Sequence, residues 1–412
     1  MTDQKGTQLL LNCLMTTSPD KIPTSLENLS PQDWEHLWDA SSLHGLGPLL
    51  NYRLYELGLL TDAPHNISHK LRNIMRINAR RNILTFNQLG NALQALNNTG
   101  IPVIVLKGAH LAELVYPDTA LRPFGDIDLL VRKEDLPGAL KSFYALGYSP
   151  HWDFDIQNEC QRAYHMPPLS GPGPLSIDLH WNISNPAYPF PINPRDLWDR
   201  AQKATIAGQP VHVLSPEDLL FHLTLHTSVQ HRFALGLMPI CDISSLIYRH
   251  RNTLNWILVK TLAHQWNLKK CLFLALSLSK ELFQPPIPDE ILTSLQPEDY
   301  DPITLQIIKE HVLAGRSQLT LNLAELLEGE SLSKKAIRFY RRIFIPPDVM
   351  VREYGLPPGS PRIYLQYLSR VRTLLLKNSG DAIEFVRRNP VALASARRQN
   401  QITALRDWMC TP

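Results

Sequence analysis

The 412-residue sequence predicts an α+β fold, a small mixed β-sheet flanked by helical N- and C-terminal segments. Three observations carry this. Apolar residues recur at helical spacing through residues 68–98. Between 101 and 181 short β-branched runs then alternate with short helical ones, and helical spacing returns after Ser215. An apolar content of 44% and a charged content of 19% are those of a folded globular chain.

Residues 1–98 form the N-terminal helical region. Ser30 and Pro31 supply an N-cap and a first helical position, and Trp34, Leu37 and Leu43 follow on an apolar face. Leu71, Ile74, Met75, Leu89, Leu93 and Leu96 stripe a helix over about 68–98, which Asn97-Asn98-Thr99-Gly100 stops.

The core spans 99–214, with a sheet of four or five strands expected. Ile101 to Leu106 is a buried strand ended by Gly108, and Ala109 to Tyr116 is a short helix closed by Pro117. Ile127 to Val131 is a second strand. The helix from Asp135 to Leu146 turns Leu136, Ala139, Leu140 and Phe143 inward and stops at Gly147. After a turn at Ser170-Gly171-Pro172-Gly173, Leu175 to Trp181 is a third strand, and Val211 to Leu214 adds a fourth. Ser215-Pro216-Glu217-Asp218 then starts a helical domain over 215–330. The last segment, 331–412, is basic and helical.

Composition narrows the function classes. The five cysteines (Cys13, Cys160, Cys241, Cys271, Cys410) are scattered and form no CxxC pair, which fits thiols in a reducing compartment rather than disulfides or a zinc site. The N-terminus is too polar for a secretory signal, and no apolar run is long enough to span a bilayer. The expectation is a cytoplasmic protein. The net charge of +3 hides an asymmetry: residues 331–412 carry 15 Lys/Arg against 5 Asp/Glu, leaving 26 against 33 in the rest. A basic end can attract a polyanion, and Arg338, Arg341, Arg342, Arg352, Arg370 and Arg372 are interleaved with Phe339, Tyr340, Tyr364 and Tyr367. Yet Tyr364, Tyr367, Leu368, Val371 and Leu375 have the helical spacing of packing residues, and the acidic remainder disfavours a long nucleic acid.

The chemistry centres on carboxylates. Asp126 and Asp128 lie two apart at the start of a strand, so alternation puts both on one face with Ile127 turned into the core. Two carboxylates aimed the same way repel unless a cation sits between them, and hard oxygen ligands suit Mg²⁺ or Mn²⁺. Asp178, in a later strand between Ile177 and Leu179, can complete the set, an arrangement that phosphoryl and nucleotidyl transfer uses. Lys107 and Gly108, between a strand and a helix start, offer a point charge and close backbone approach to a phosphate, and Arg122 is placed to clamp one. His222 and His226 share a helix face at i, i+4, but without a third ligand or an HExxH glutamate they point to packing or substrate contact rather than zinc. His180 beside Trp181 is a candidate flank for a substrate base. The Arg76, Arg80, Arg81 cluster is a candidate phosphate contact or a solvated face.

The order strand, glycine turn, helix, strand with Asp-x-Asp, then a later strand with a lone Asp resembles the DNA polymerase β nucleotidyltransferase superfamily. More narrowly, LKGAHLAELVYPDTALRPFGDIDLLV, the later LGY, IDLHW and HLTLHTSVQHRF, and the Asp242 region look like a bacterial family of uncharacterised nucleotidyltransferases. The chain departs from the superfamily in having Lys107-Gly108 where a Gly-Gly or Gly-Ser turn is usual, with a long gap to Asp126. The resemblance implies an enzyme that moves a nucleotidyl group from an NTP, ATP first among them, to a hydroxyl of a small-molecule or peptide acceptor. Asp126, Asp128 and Asp178 would be its catalytic and metal-holding residues, and Lys107, Gly108 and Arg122 would steady the phosphates. Alternatives are another donor, such as a nucleotide sugar, or a catalytically silent nucleotide-binding regulator.

Overall fold

The computed structural model describes residues 4–15, 22–315, 364, 366–367, 401 and 404–411. The basic segment lies almost wholly outside the described residues. Contacts divide the chain into two units, and one of them, Thr2–His151, Asp155–Arg316 and Arg406–Pro412, carries every element below.

The N-terminal region is four helices: α1 (Gln4–Met15), α2 (Pro31–Leu43), α3 (Gly47–Glu56) and α4 (His65–Asn98). Ser30 caps α2 in a full capping box with Asp33. Trp34 and Leu37 are buried as the spacing predicts, but Leu43 is 42% exposed at the helix end.

The sheet elements follow: β1 (Ile104–Val105), α5 (Lys107–His110), β2 (Ile127–Leu130), α6 (Leu136–Ala145), β3 (Ser149–Pro150), α7 (Ile156–Arg162), β4 (Leu169–Ser170), β5 (Ile177–His180), α8 (Pro194–Arg200), β6 (Gln202–Ile206) and β7 (Gln209–Val213). Among the described residues the seven strands form one sheet in the order β3-β4-β5-β2-β1-β7-β6. It is mixed: β2 runs parallel to β5 and β1 parallel to β7, while β1–β2, β3–β4, β4–β5 and β6–β7 are antiparallel. The four strands read from the sequence are all present. The strands β3, β4 and β6 extend the sheet beyond the four or five expected: β3 and β4 have two residues each, too few for periodicity, and β6 (QKATI) buries only Ile206, so it shows no apolar alternation. Helices α9 (Pro216–Leu225), α10 (Met238–Arg249), α11 (Trp256–Gln265), α12 (Lys269–Phe283), α13 (Asp289–Leu295) and α14 (Ile303–Leu313) complete the unit. Ser215 caps α9 by accepting the Asp218 N–H, and Arg200 engages the buried Asp218 carboxylate through Nε and Nη2 at 2.9 and 2.8 Å. Among the described residues no helix is long and apolar enough to cross a membrane.

Two devices anchor the segments that will carry the site. The first is α4. Its buried face is only partly apolar: Leu71, Leu89, Leu93 and Leu96 are buried, Ile74 and Met75 only half so, and Asn78, Asn82 and Gln88 are buried among them. These amides take up backbone groups that have no ladder partner. Asn78 donates to Ala120 O, and Asn82 donates to Thr119 O and Arg122 O, which fixes the loop between α5 and β2. Gln88 donates to Leu175 O (2.7 Å) and accepts from Leu175 N (3.2 Å), which fixes the entry to β5. Gly173 lies against Gln88 so closely that a Cβ there would stand 2.2 Å from Gln88 Cδ. The turn must therefore be glycine for the amide to reach Leu175.

The second device is a buried ion pair. Arg122 meets Asp242 of α10 through Nε (3.2 Å) and Nη2 (2.7 Å), and Tyr116 Oη donates to the same carboxylate at 2.9 Å. Burial alone would lower the guanidinium, but Asp242 outweighs it and raises Arg122 above its ordinary value. Removing one partner of such a pair strands the other in a dry site, at a cost of about 3–5 kcal/mol. We expect Asp242→Asn to lose stability of that order in urea unfolding, and Asp242→Leu combined with Arg122→Met to lose much less. Equal losses in the single and double variants would show that the pair does not act as a unit.

Two buried histidines set an acid limit. Burial lowers His44 to about 4 and His110 to about 3, against roughly 6.5 in an unfolded chain. Between those values the unfolded chain binds more protons, so stability is full above about pH 6.5 and falls as the pH drops from there toward 3. Replacing His110 by Phe should make the urea midpoint fall less, or rise more, between pH 7.5 and 5.5 than it does in the wild-type chain. An unchanged pH dependence in that variant would contradict this.

Candidate active site and metal centre

β2 and β5 lie side by side in parallel register, pairing Ile127 with Ile177, Asp128 with Asp178, Leu129 with Leu179 and Leu130 with His180. Alternation then puts Asp128, Asp178 and His180 on one face while Ile127, Ile177, Leu129 and Leu179 fill the core. Asp126, one residue before β2, follows the same alternation with a side chain 41% exposed. The expected juxtaposition of Asp126 and Asp128 with Asp178 on neighbouring chain segments is thus present.

β1 brings the lysine. Leu106 N donates to Asp128 O at 3.0 Å, so the next residue, Lys107, starts α5 directly over β2. Its Nζ lies 3.0 Å from Asp128 Oδ1 and 3.8 Å from Asp126 Oδ2. The cation that the Asp-x-Asp spacing demands is therefore supplied in part by the protein itself. Gly108 is set by packing: a Cβ there would lie 2.9 Å from Phe124 Cβ, so only glycine lets α5 close against the loop leading to Asp126.

The sequence leaves His180 as either a flank for a base or a satisfied, partly buried histidine, and it is buried at 4% exposure. Its Nε2 lies 3.0 Å from Asp128 Oδ1, and its ring packs with Tyr164 (centroids 5.5 Å apart) and His165 (5.1 Å). The available signal was its position two residues after Asp178, on the same strand face.

The electrostatics follow from three carboxylates facing one ammonium. Burial raises Asp178 to about 7, and Asp128 and Asp126 push it the same way. Asp126 is raised by burial and by Asp128. Burial would raise Asp128 too, but Lys107 and the His180 hydrogen bond outweigh it and hold the carboxyl well below the usual range. Burial would lower Lys107, and Asp128 and Asp126 reverse that, so it stays cationic. His180 is lowered by burial despite Asp128, which favours neutral imidazole.

Asp128 Oδ2 and Asp178 Oδ1 are buried with no hydrogen-bond partner among the described residues. Ligand atoms of Asp128, Asp178 and His180 lie within 4.8 Å of one another, a cluster able to hold a metal ion. Unsatisfied buried carboxylate oxygens are costly, and their hard, anionic chemistry fits a divalent cation.

Beside this cluster a cavity of about 570 Å³ is walled by Lys107, Gly108, Arg122, Phe124, Gly125, Asp126, Arg81, His226 and His231, among others. Arg122 reaches that wall, but its guanidinium is held by Asp242 and donates from Nη1 to Pro123 O. Of the arginine cluster on α4, Arg81 lines the cavity. Of the two helix histidines, His226 lines the cavity and stands 4.4 Å from His231 between ring centroids, while His222 is buried and lowered by burial to about 3. Neither joins the metal-capable cluster. All five cysteines are free, and none belongs to that cluster.

No curated protein and no solved structure matches the chain. A family model does, across residues 30–284, a span that contains α2 through α12, the whole sheet and every residue of the cluster. On that match the chain belongs to the family described as uncharacterised nucleotidyltransferase.

Proposed function

We propose that the chain is a metal-dependent enzyme that transfers a nucleotidyl group from an NTP, ATP first, to a hydroxyl of a small-molecule or peptide acceptor. The observation that carries this reading is the parallel register of Asp128 with Asp178, which buries two carboxylate oxygens, with no partner among the described residues, on a face shared with Lys107. The family assignment supports a transferase of nucleotides. Asp126, Asp128 and Asp178 would hold Mg²⁺ or Mn²⁺, which when bound supplies charge neutralisation on the phosphate oxygens.

The chain's own groups then have distinct tasks. The acceptor oxygen attacks the α-phosphorus, the bond to the bridging α–β oxygen breaks, and pyrophosphate leaves. Asp178, on the face it shares with Asp128, accepts the hydroxyl proton. Lys107 exchanges its carboxylates for the β- and γ-phosphates, with the Gly108 backbone beside it. Arg122, paired with Asp242, contributes a fixed wall to the cavity rather than a mobile clamp. A cavity of about 570 Å³ suits a nucleotide and a small acceptor better than a nucleic acid, and a silent regulator would carry the repulsion among three carboxylates with no return in function.

The test is transfer of label from α-labelled ATP and the other NTPs in the presence of Mg²⁺ or Mn²⁺. Pools of metabolites, peptides and RNA serve as acceptors. Asp128→Asn should reduce turnover by at least about a thousandfold, a loss of roughly 4 kcal/mol of transition-state stabilisation; because it also unpairs Lys107, its unfolding midpoint is recorded and turnover is compared well below it. Unchanged turnover in this variant, or label passing only from nucleotide sugars, would reject the reading.

A further inference from the structure

We propose that His180 is a positioning residue that fixes which oxygen of Asp128 is offered to a metal ion. The inference rests on the metal-dependent reading above and adds a residue to it.

A buried aspartate can present either oxygen after a half-turn of its carboxylate, so an ordered metal face needs a donor that singles one oxygen out. Two donors converge on Asp128 Oδ1, His180 Nε2 and Lys107 Nζ, each at 3.0 Å, and none reaches Oδ2 among the described residues. They differ in rigidity. Lys107 sits on a four-carbon stem and divides its charge between Asp128 and Asp126, 3.8 Å away. His180 is a planar ring in a central strand, fully buried and packed with the Tyr164 and His165 rings. Backbone hydrogen bonds lock that packing: Val131 N donates to His180 O and Trp181 N to Tyr164 O, both at 3.0 Å. Lys107 is thus free to leave for a phosphate without Asp128 turning. Carboxylates that ligate a metal are themselves hydrogen-bonded by partners one shell out, which fix their orientation.

The same cluster admits a different role, direct ligation of the metal by the imidazole. The two are separable because a glutamine amide places an N–H near the reach of Nε2 but is a poor substitute for an imidazole ligand, whereas an asparagine amide is too short to reach.

The experiment titrates Mn²⁺ into the full chain without nucleotide, reading free Mn²⁺ by electron paramagnetic resonance. It compares wild type, His180→Gln, His180→Asn and His180→Ala, with each unfolding midpoint recorded. Positioning predicts that Asn and Ala weaken Mn²⁺ binding about ten- to a hundredfold, the usual loss for a residue behind a ligand, and that Gln restores affinity to within a small factor of wild type. Should Ala fail to fold, the Gln and Asn pair, two amides differing by one methylene, carries the comparison alone. Loss in Gln equal to loss in Asn would mean direct ligation and overturn the proposal. Wild-type affinity in all variants would overturn it too, leaving the metal-dependent reading intact. A wild-type chain that binds no Mn²⁺ would instead bring down that reading, and this proposal with it.

Discussion

One buried carboxylate organises this molecule. Asp128 sits in the middle of the sheet with its side chain almost wholly inaccessible, and a charge there is tolerable only if the surroundings return what water would have given. Lys107, at the start of α5 just past β1, and His180 of β5 do so, and each can reach because β2 is flanked by β1 and β5. The parallel register that places His180 also places Asp178 beside Asp128, so satisfying one oxygen necessarily brings a second carboxylate to the same face. Solving the burial of Asp128 and building an acidic cluster are one structural event.

The rest of the unit holds that arrangement in place. α4 gives three amides to backbone on either side of the cluster, pinning the approach to Asp126 and the approach to Asp178 from a single rigid helix. α10 holds the opposite flank of the same loop through Asp242. Glycine stands at 108 and 173 because in both places the neighbouring side chain leaves no room for a Cβ. A site whose supports come from helices rather than loops keeps its carboxylates close together despite their repulsion.

Much of this was legible in the sequence, for identifiable reasons. Capping residues and helical spacing located α2, α6 and α9, and the alternation of Asp126, Ile127 and Asp128 marked a strand edge with two acids on one side. What the sequence withheld was partnership across distance. Nothing local ties Arg122 to Asp242, 120 residues away, and Arg122 read alone looked like a free phosphate clamp. The buried amides Asn78, Asn82 and Gln88 lie outside what spacing detects, which is an apolar stripe. His180 had a readable position, but the bond to Asp128, 52 residues away, depends on β2 and β5 pairing in parallel, which the sequence between them leaves open.

The charge balance of the cluster is the link to function. Three carboxylates face one lysine, and two oxygens, Asp128 Oδ2 and Asp178 Oδ1, are buried with no partner among the described residues. A divalent cation would answer both the surplus charge and the orphaned oxygens, and Lys107 and Asp126, which flank the cluster, line the adjoining cavity. The most direct measurement is anomalous diffraction from crystals soaked in Mn²⁺ with a non-hydrolysable NTP analogue. The account predicts a Mn²⁺ peak at bonding distance from both Asp128 Oδ2 and Asp178 Oδ1, with Lys107 drawn to the phosphates. A peak that avoids these two oxygens, or nucleotide bound with Lys107 still seated on Asp128 and no metal beside it, would contradict the account.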